Sequence, residues 1–147
     1  MSKTPVLLDT HIWLWWLFAH PKLQRSPAYG IIQEAERSHR LRLSSISIWE
    51  AILLHEAGRI EMKGSIERWL SEARLKFLVH VIPIDERIAL ASRLLPGSFH
   101  QDPADRFIVA TARALDMLLL THDKRILDYS EAGHLKAIDL DGVAIGC

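Results

Sequence analysis

The sequence predicts an α/β protein with a small, mostly parallel sheet covered by helices on both faces. Three observations carry that expectation. Short runs such as Val6-Leu7-Leu8 and Met117-Leu118-Leu119-Leu120 are apolar at every position, as strands buried on both faces are. Longer stretches with helical periodicity alternate with them. Helix-start residues, best seen in Asp102-Pro103, stand at the seams.

Taken in order, Val6-Leu7-Leu8 is a short strand ended by Asp9-Thr10, either of which would cap the next helix. Ile12-Trp13-Leu14-Trp15-Trp16-Leu17-Phe18 is apolar nearly all round, the mark of a buried or interfacial helix. Core packing or a protein contact is favoured there over base stacking. Ser26-Pro27 opens a helix to about Arg37, with Ile31, Ile32 and Ala35 inward. Leu41-Arg42-Leu43-Ser44 alternates like a strand with one polar face, and Ser47-Ile48-Trp49-Glu50 has the form of a capping box. That helix runs through His55 to a stop at Gly58. Ser65 caps a helix from Ile66 to about Lys76. Val79 to Ile82 is a strand closed by Pro83, and Asp85 caps a helix through Leu94.

Asp102 is then an N-cap, Pro103 fits the first helical position, and Asp105 falls in the first turn near the positive end of the helix dipole. Asp105 shares a stripe with Ile108, Val109 and Ala112, so its carboxylate faces the core side, ionised and in want of a cation. Met117 to Leu120 is the strongest strand. Thr121-His122-Asp123 closes it, Lys124 to Tyr129 forms a short helix, and Ala137 to Leu140 is a weaker last strand.

At 147 residues, with no long linker, repeat or low-complexity segment, the chain is expected to form a single domain over 1–147. The 18 basic and 18 acidic residues balance, so no bulk basic field advertises nucleic-acid binding. A local basic rim around an acidic site remains compatible with that balance. One cysteine, Cys147, excludes an internal disulfide framework and a thiolate metal cage, and suits a reducing cytoplasm. No secretory signal is visible, and no apolar run is long enough to span a bilayer.

Ligands of open parallel sheets bind beyond the carboxyl ends of the strands. Asp9 and Asp123 come at or just after strand ends, and Glu50 and Asp105 are read in first helical turns on inward stripes. Right-handed crossovers would bring them to one mouth. Each acid alone also has a capping explanation, Asp123 above all. Crowded carboxylates raise one another's pKa or recruit cations, and oxygen-only ligation suits Mg²⁺ or Mn²⁺ rather than Zn²⁺.

Five segments together resemble the PIN-domain nucleases, and most closely the VapC-type toxins of bacterial toxin–antitoxin pairs. They are Leu7-Leu8-Asp9-Thr10-His11, Ser44 to Glu50, His100-Gln101-Asp102-Pro103-Ala104-Asp105-Arg106, Ile108 to Ala112, and Leu119 to Asp123. The resemblance implies a PIN-like three-layer α/β/α fold around a short parallel sheet. It also implies an Mg²⁺- or Mn²⁺-dependent endoribonuclease acting on RNA and silenced by a cognate antitoxin. Carried over residue by residue, Asp9, Glu50, Asp105 and Asp123 match the family's acidic quartet, as metal ligands and catalytic residues, with Asp102 left as a cap. Thr10 and Thr121 sit where a hydroxyl would orient a carboxylate or a metal-bound water, and Ser47 where it would brace Glu50. A homodimer is also expected, with the Trp13 to Phe18 helix serving the core, a dimer seam or an antitoxin groove.

His11, His100 and His122 adjoin these motifs, and ordinary hydrogen-bonded histidines are the simpler reading of each. Arg106 is expected to pair with a carboxylate of the cluster. Arg37, Arg40 and Arg42 are the densest basic group, more in keeping with a solvated face than with an RNA track. Other chemistries fit less well. An aspartyl phosphotransferase wants an acid where His11 stands, no G-x-S-x-G elbow exists, and Arg59 occupies the place of the second histidine in a zincin motif begun by His55-Glu56. The alternative from another class is an RNA- or partner-binding domain of the same fold whose acids are idle.

Overall fold

A computed structural model describes residues 3–142 and the backbone of residues 144 and 145; Cys147 lies outside the described residues. The chain begins with β1 (Val6–Leu8), α1 (Thr10–Leu17), α2 (Pro21–Gln24), α3 (Pro27–Arg37) and β2 (Leu41–Ser44). It continues through α4 (Ser45–Glu56), α5 (Ile66–Lys76), β3 (His80–Ile82), α6 (Glu86–Arg93) and α7 (Pro103–Ala114). β4 (Leu118–Leu120), α8 (Lys124–Glu131), β5 (Ala137–Ile138) and β6 (Ala144–Ile145) complete it. The sheet order is β3-β2-β1-β4-β5-β6, with β6 antiparallel to β5 and the other pairings parallel. This is the expected α/β/α arrangement around a short, mostly parallel sheet.

The alternation of side chains along each strand builds two cores. Val6, Leu8, Leu41, Leu43, Leu120 and Ile138 face a layer that includes Ile12, Trp13, Trp16, Ile32 and Ala35. Leu7, Leu119 and Ala137 face the other way, against Ile108, Val109, Ala112, Ile126 and Tyr129. Leu7, Leu8, Leu41, Leu43, Leu119 and Leu120 are all essentially inaccessible to solvent. Each such leucine contributes about 1.5–3 kcal/mol of transfer free energy, so these short strands are held by burial on both faces rather than by their length.

The topology decides where a site can form. The chain winds outward from β1 to β2 and β3, then returns to lay β4 on the other side of β1. Crossovers leaving β1 and β4 therefore diverge, and a crevice opens at the carboxyl ends of these two strands.

Several local expectations are corrected. The helix predicted to start at Ser47 starts at Ser45, and its cap is Ser44, whose Oγ accepts the Ile46 N–H at 3.2 Å. Ser47 is thus inside the first turn, and Glu50 lies one turn deeper than a first-turn acid. The short α2 and the antiparallel β6 were not predicted. Gly58, with φ of +74°, follows α4 as expected, in the left-handed region where a side chain is disfavoured.

Candidate active site

The four predicted acids stand at the β1–β4 crevice, linked by a chain of bridging groups. Asp9 directly follows β1, and its backbone N–H donates to the Leu120 carbonyl of β4 at 3.0 Å. Its Oδ1 accepts the Thr10 N–H at 2.9 Å, and its Oδ2 accepts the Thr121 hydroxyl at 2.7 Å. Thr121 Oγ1 in turn accepts the Asp123 N–H at 3.0 Å. One hydroxyl therefore fixes both strand-end acids.

Thr10 reaches the next element. Its hydroxyl donates to Glu50 Oε1 and lies 2.8 Å from the Ser47 hydroxyl. A hydroxyl carries one proton, so with Thr10 donating to Glu50, Ser47 is the donor to Thr10. Ser47 braces Glu50 through Thr10, not by direct contact. Thr10 and Ser47 are buried, so this polar relay is shielded from competing water.

Asp105 comes from the first turn of α7, where Asp102 Oδ2 caps its N–H at 3.0 Å. Asp102 is therefore the cap that the sequence suggests, and Asp105 points inward. The cation beside Asp105 is not Arg106. The buried Arg106 spends its fork on the carbonyls of Ser92, Phe99 and His100, at 2.8, 3.0 and 3.2 Å. Arg125 takes the expected role instead: its Nη2 lies 3.5 Å from Asp105 Oδ2 and 3.3 Å from Asp123 Oδ2. A weak signal for it exists in the sequence. Arg125 sits in the first turn of α8, where the helix dipole disfavours a cation unless anions surround it.

The electrostatics follow from crowding and burial. Burial raises the Asp9 carboxyl, against the lowering effect of the Thr121 and Thr10 hydrogen bonds. Burial also raises Glu50, with Thr10 opposing. Asp105 is pushed up to about 7 by burial and then by the charges of Asp9, Asp102, Asp123 and Glu50. Asp105 is thus only partly ionised near neutrality, not fully ionised as expected. Burial pushes Asp123 up as well, but its bonds to Arg125 outweigh this and hold it below the ordinary value. His100 is lowered by burial and by the Arg125 charge. His100 Nδ1 accepts the Asp102 N–H at 3.3 Å, so in the neutral ring the hydrogen is on Nε2. That nitrogen is 3.1 Å from Asp105 Oδ2 but is not aligned on it, and it has no hydrogen-bond partner among the described residues.

Among the described residues no three His, Cys, Asp or Glu side chains stand close enough to grip an ion as they lie. Asp105 and Asp123 are turned onto Arg125, while Asp9 and Glu50 are held by threonines. The donor set nevertheless fits a hard divalent cation. It is all oxygen, it is drawn from four elements to one crevice, and the mutual repulsion of its acids adds to burial in pushing Asp105 up.

The surroundings are mixed in character. A cavity of about 440 Å³ beside Glu50 and Asp102 is lined also by His11, Trp49 and Arg59. A larger hollow of about 770 Å³ lies between His39, Arg42 and Leu75, at the opposite end of the sheet from the acids. Arg40 and Arg42 sit at that far end, bonded to the carbonyls of Thr4, His39 and Leu41, as a solvated face would be. His122 pairs with Asp139 at 2.7 Å and with Lys22 at 3.2 Å, and His11 is exposed. In α1, Ile12, Trp13, Leu14 and Trp16 are buried, and Phe18 beyond its end is 47% exposed.

Comparison with known proteins agrees with this fold. The family model for the PIN domain matches residues 6–132. The chain is 34% identical over 123 residues to Ribonuclease VapC22 of Mycobacterium tuberculosis, covering 84% of this chain and 90% of that protein. A DNA-bound VapBC structure from Salmonella typhimurium superposes with a TM-score of 0.66 at 18% identity, over 93% of this chain and 98% of that one. A toxin–antitoxin complex from Klebsiella pneumoniae gives 0.54 at 20% identity, over 82% and 89%. At those identities the two structures speak for the fold alone. The matched span covers both strand-end acids, Glu50 and Asp105, and on the strength of it and of the curated relative the chain belongs to the PIN domain family.

Proposed function

We propose that this chain is a metal-dependent endoribonuclease of the VapC toxin kind, acting on RNA in the cytoplasm and silenced by a cognate antitoxin. The observation that carries the reading is the convergence of Asp9, Glu50, Asp105 and Asp123 from four separate elements onto one crevice. Capping alone does not account for it. Asp9 and Asp123 do cap α1 and α8, but Glu50 caps nothing, and Asp105 is itself capped by Asp102. The ribonuclease relative supports the substrate class, and the toxin–antitoxin complex sharing the fold supports the partner. The absence, among the described residues, of any helix long and apolar enough to cross a membrane is compatible with it.

In this reading Asp9, Glu50, Asp105 and Asp123 would hold Mg²⁺ or Mn²⁺. A divalent ion there supplies Lewis acidity, lowering the pKa of a water and offsetting charge on a phosphodiester. The rest is work for the protein. Thr121 and Thr10 fix the Asp9 carboxylate so that little reorganisation is left for the reaction. The Ser47–Thr10 relay aims Glu50 into the same crevice. Asp105 must give up its partial proton to bind a cation, which ties ion binding to pH. The exposed apolar residues Phe18, just past α1, and Trp49 and Leu53 of α4 offer contacts for the antitoxin or for a second copy in a homodimer.

The deciding experiment is cleavage of single-stranded RNA by the purified chain with Mg²⁺ or Mn²⁺, beside Asp9→Asn. Cleavage that is lost in the variant and on chelation supports the nuclease. Tight RNA binding by the wild type with no cleavage under either ion would leave the binding-domain reading in its place.

A further inference from the structure

We propose that Arg125 is a built-in stand-in cation for the acidic site, neutralising Asp105 and Asp123 until a divalent ion arrives and then freed to hold a substrate phosphate. This rests on the nuclease reading above and adds a positioning residue to it. The geometry is specific. A single guanidinium nitrogen, Nη2, lies between Asp105 Oδ2 and Asp123 Oδ2, at 3.5 and 3.3 Å. These two acids come from α7 and from the β4–α8 junction, so the bridge spans separate elements rather than decorating one helix. Arg125 Nη1 is 3.5 Å from His100 Nδ1, which sets the guanidinium against the same wall.

The backbone of Arg125 is anchored while its side chain is exposed. Its N–H donates to Asp123 Oδ1 at 2.8 Å, which anchors the residue at the start of α8. The side chain is 61% exposed, against 13% for Asp105. The guanidinium can therefore leave without unpacking anything, while the acids cannot. Arginine keeps its charge at every working pH, so the exchange is cation for cation and not a proton switch. Once displaced, the guanidinium remains tethered at the rim of the crevice by a short helical turn. A planar fork of donors suits the non-bridging oxygens of a phosphodiester.

Competition of this kind has a signature that a purely structural salt bridge lacks. Divalent ion binding to the full chain would be measured by calorimetry and by Mn²⁺ spin-resonance titration, for wild type, Arg125→Ala and Arg125→Lys. The melting temperature of each would be followed with and without Mg²⁺. Arg125→Ala is expected to bind the ion several-fold more tightly than wild type, and to show a lower melting temperature without ion but a larger rise when ion is added. Its KM for RNA should rise with a smaller change in kcat, and Arg125→Lys should fall between. Unchanged or weaker ion binding by Arg125→Ala, or an equal ion-induced rise in both proteins, would overturn the proposal. A wild type that binds no ion and cuts no RNA would instead overturn the nuclease reading itself.

Discussion

Thr121 and Asp9 lie 112 residues apart in the chain and 2.7 Å apart in space, hydroxyl to carboxylate, across the seam between β4 and β1. The contact is fully buried, and the same hydroxyl receives the Asp123 N–H. Thr121→Val keeps the shape and removes the donor. Asp9 then loses a bond that opposes its desolvation, and Asp123 N–H loses its acceptor. The variant is expected to be less stable by about 1–3 kcal/mol in urea denaturation, the usual cost of an orphaned buried polar group. RNA cleavage should fall with it, and Thr121→Ser, which restores the hydroxyl, should recover most of both.

The two serines at the start of α4 separate capping from site support. Ser44 is the N-cap, so Ser44→Ala should cost about 1 kcal/mol of stability and leave cleavage largely intact once folded. Ser47 is the donor to Thr10, so Ser47→Ala should lower kcat more than it lowers the urea midpoint. The reverse ranking would restore Ser47 to the capping role that its sequence pattern suggests.

That reversal illustrates what is legible in the chain and what is not. Buried strands announce themselves, because a parallel sheet covered on both faces needs uninterrupted apolar runs such as Val6 to Leu8. The α7 start is equally plain, because Asp102, Pro103 and Asp105 each satisfy a local rule that the final structure keeps. At α4, however, both Ser44 and Ser47 are followed within a turn by groups they could cap, and only the packing of Thr10 against the helix decides between them. The partner of Asp105 is hidden from the sequence for a related reason. Arg106 is adjacent in sequence, but a helix directs successive side chains about 100° apart, and Arg106 turns to the α6–α7 loop. Arg125 reaches Asp105 because α7 and α8 flank β4 and both helices start at the carboxyl end of that strand. Contacts set by topology leave little local trace.

Arg106 itself supports a prediction about stability. One carbonyl at the end of α6 and two of the segment leading into α7 depend on its guanidinium, and the residue is 6% exposed. Arg106→Ala would leave those acceptors unpaired and loosen the segment that carries His100. A loss of about 2–5 kcal/mol is expected by chemical denaturation, from several charge-assisted bonds removed together. Arg106→Lys keeps the charge but not the fork, and should recover only part of it.

The raised Asp105 carboxyl makes stability depend on pH in a direction opposite to that of a salt-bridged acid. In the folded chain it titrates at about 7, against 3.8 ordinarily. Between those values the folded state keeps a proton that the unfolded state has released, so the slope of stability with pH is negative. The contribution is fully present below about pH 4 and is lost as pH rises through 7. Asp9 and Glu50, also raised, act in the same sense, whereas Asp123 is lowered, and its contribution is lost as pH falls through its folded value. The metal-free chain should therefore be less stable at pH 8 than at pH 5, by roughly 2–4 kcal/mol from Asp105. Asp105→Asn, which has no proton to lose, should flatten that slope. Mg²⁺ should raise the urea midpoint of the wild type more at the higher pH, where the carboxylates it would meet are ionised and mutually repelling. A midpoint that rises from pH 5 to pH 8 in the metal-free wild type would mean that the acids are not crowded as the crevice between β1 and β4 requires.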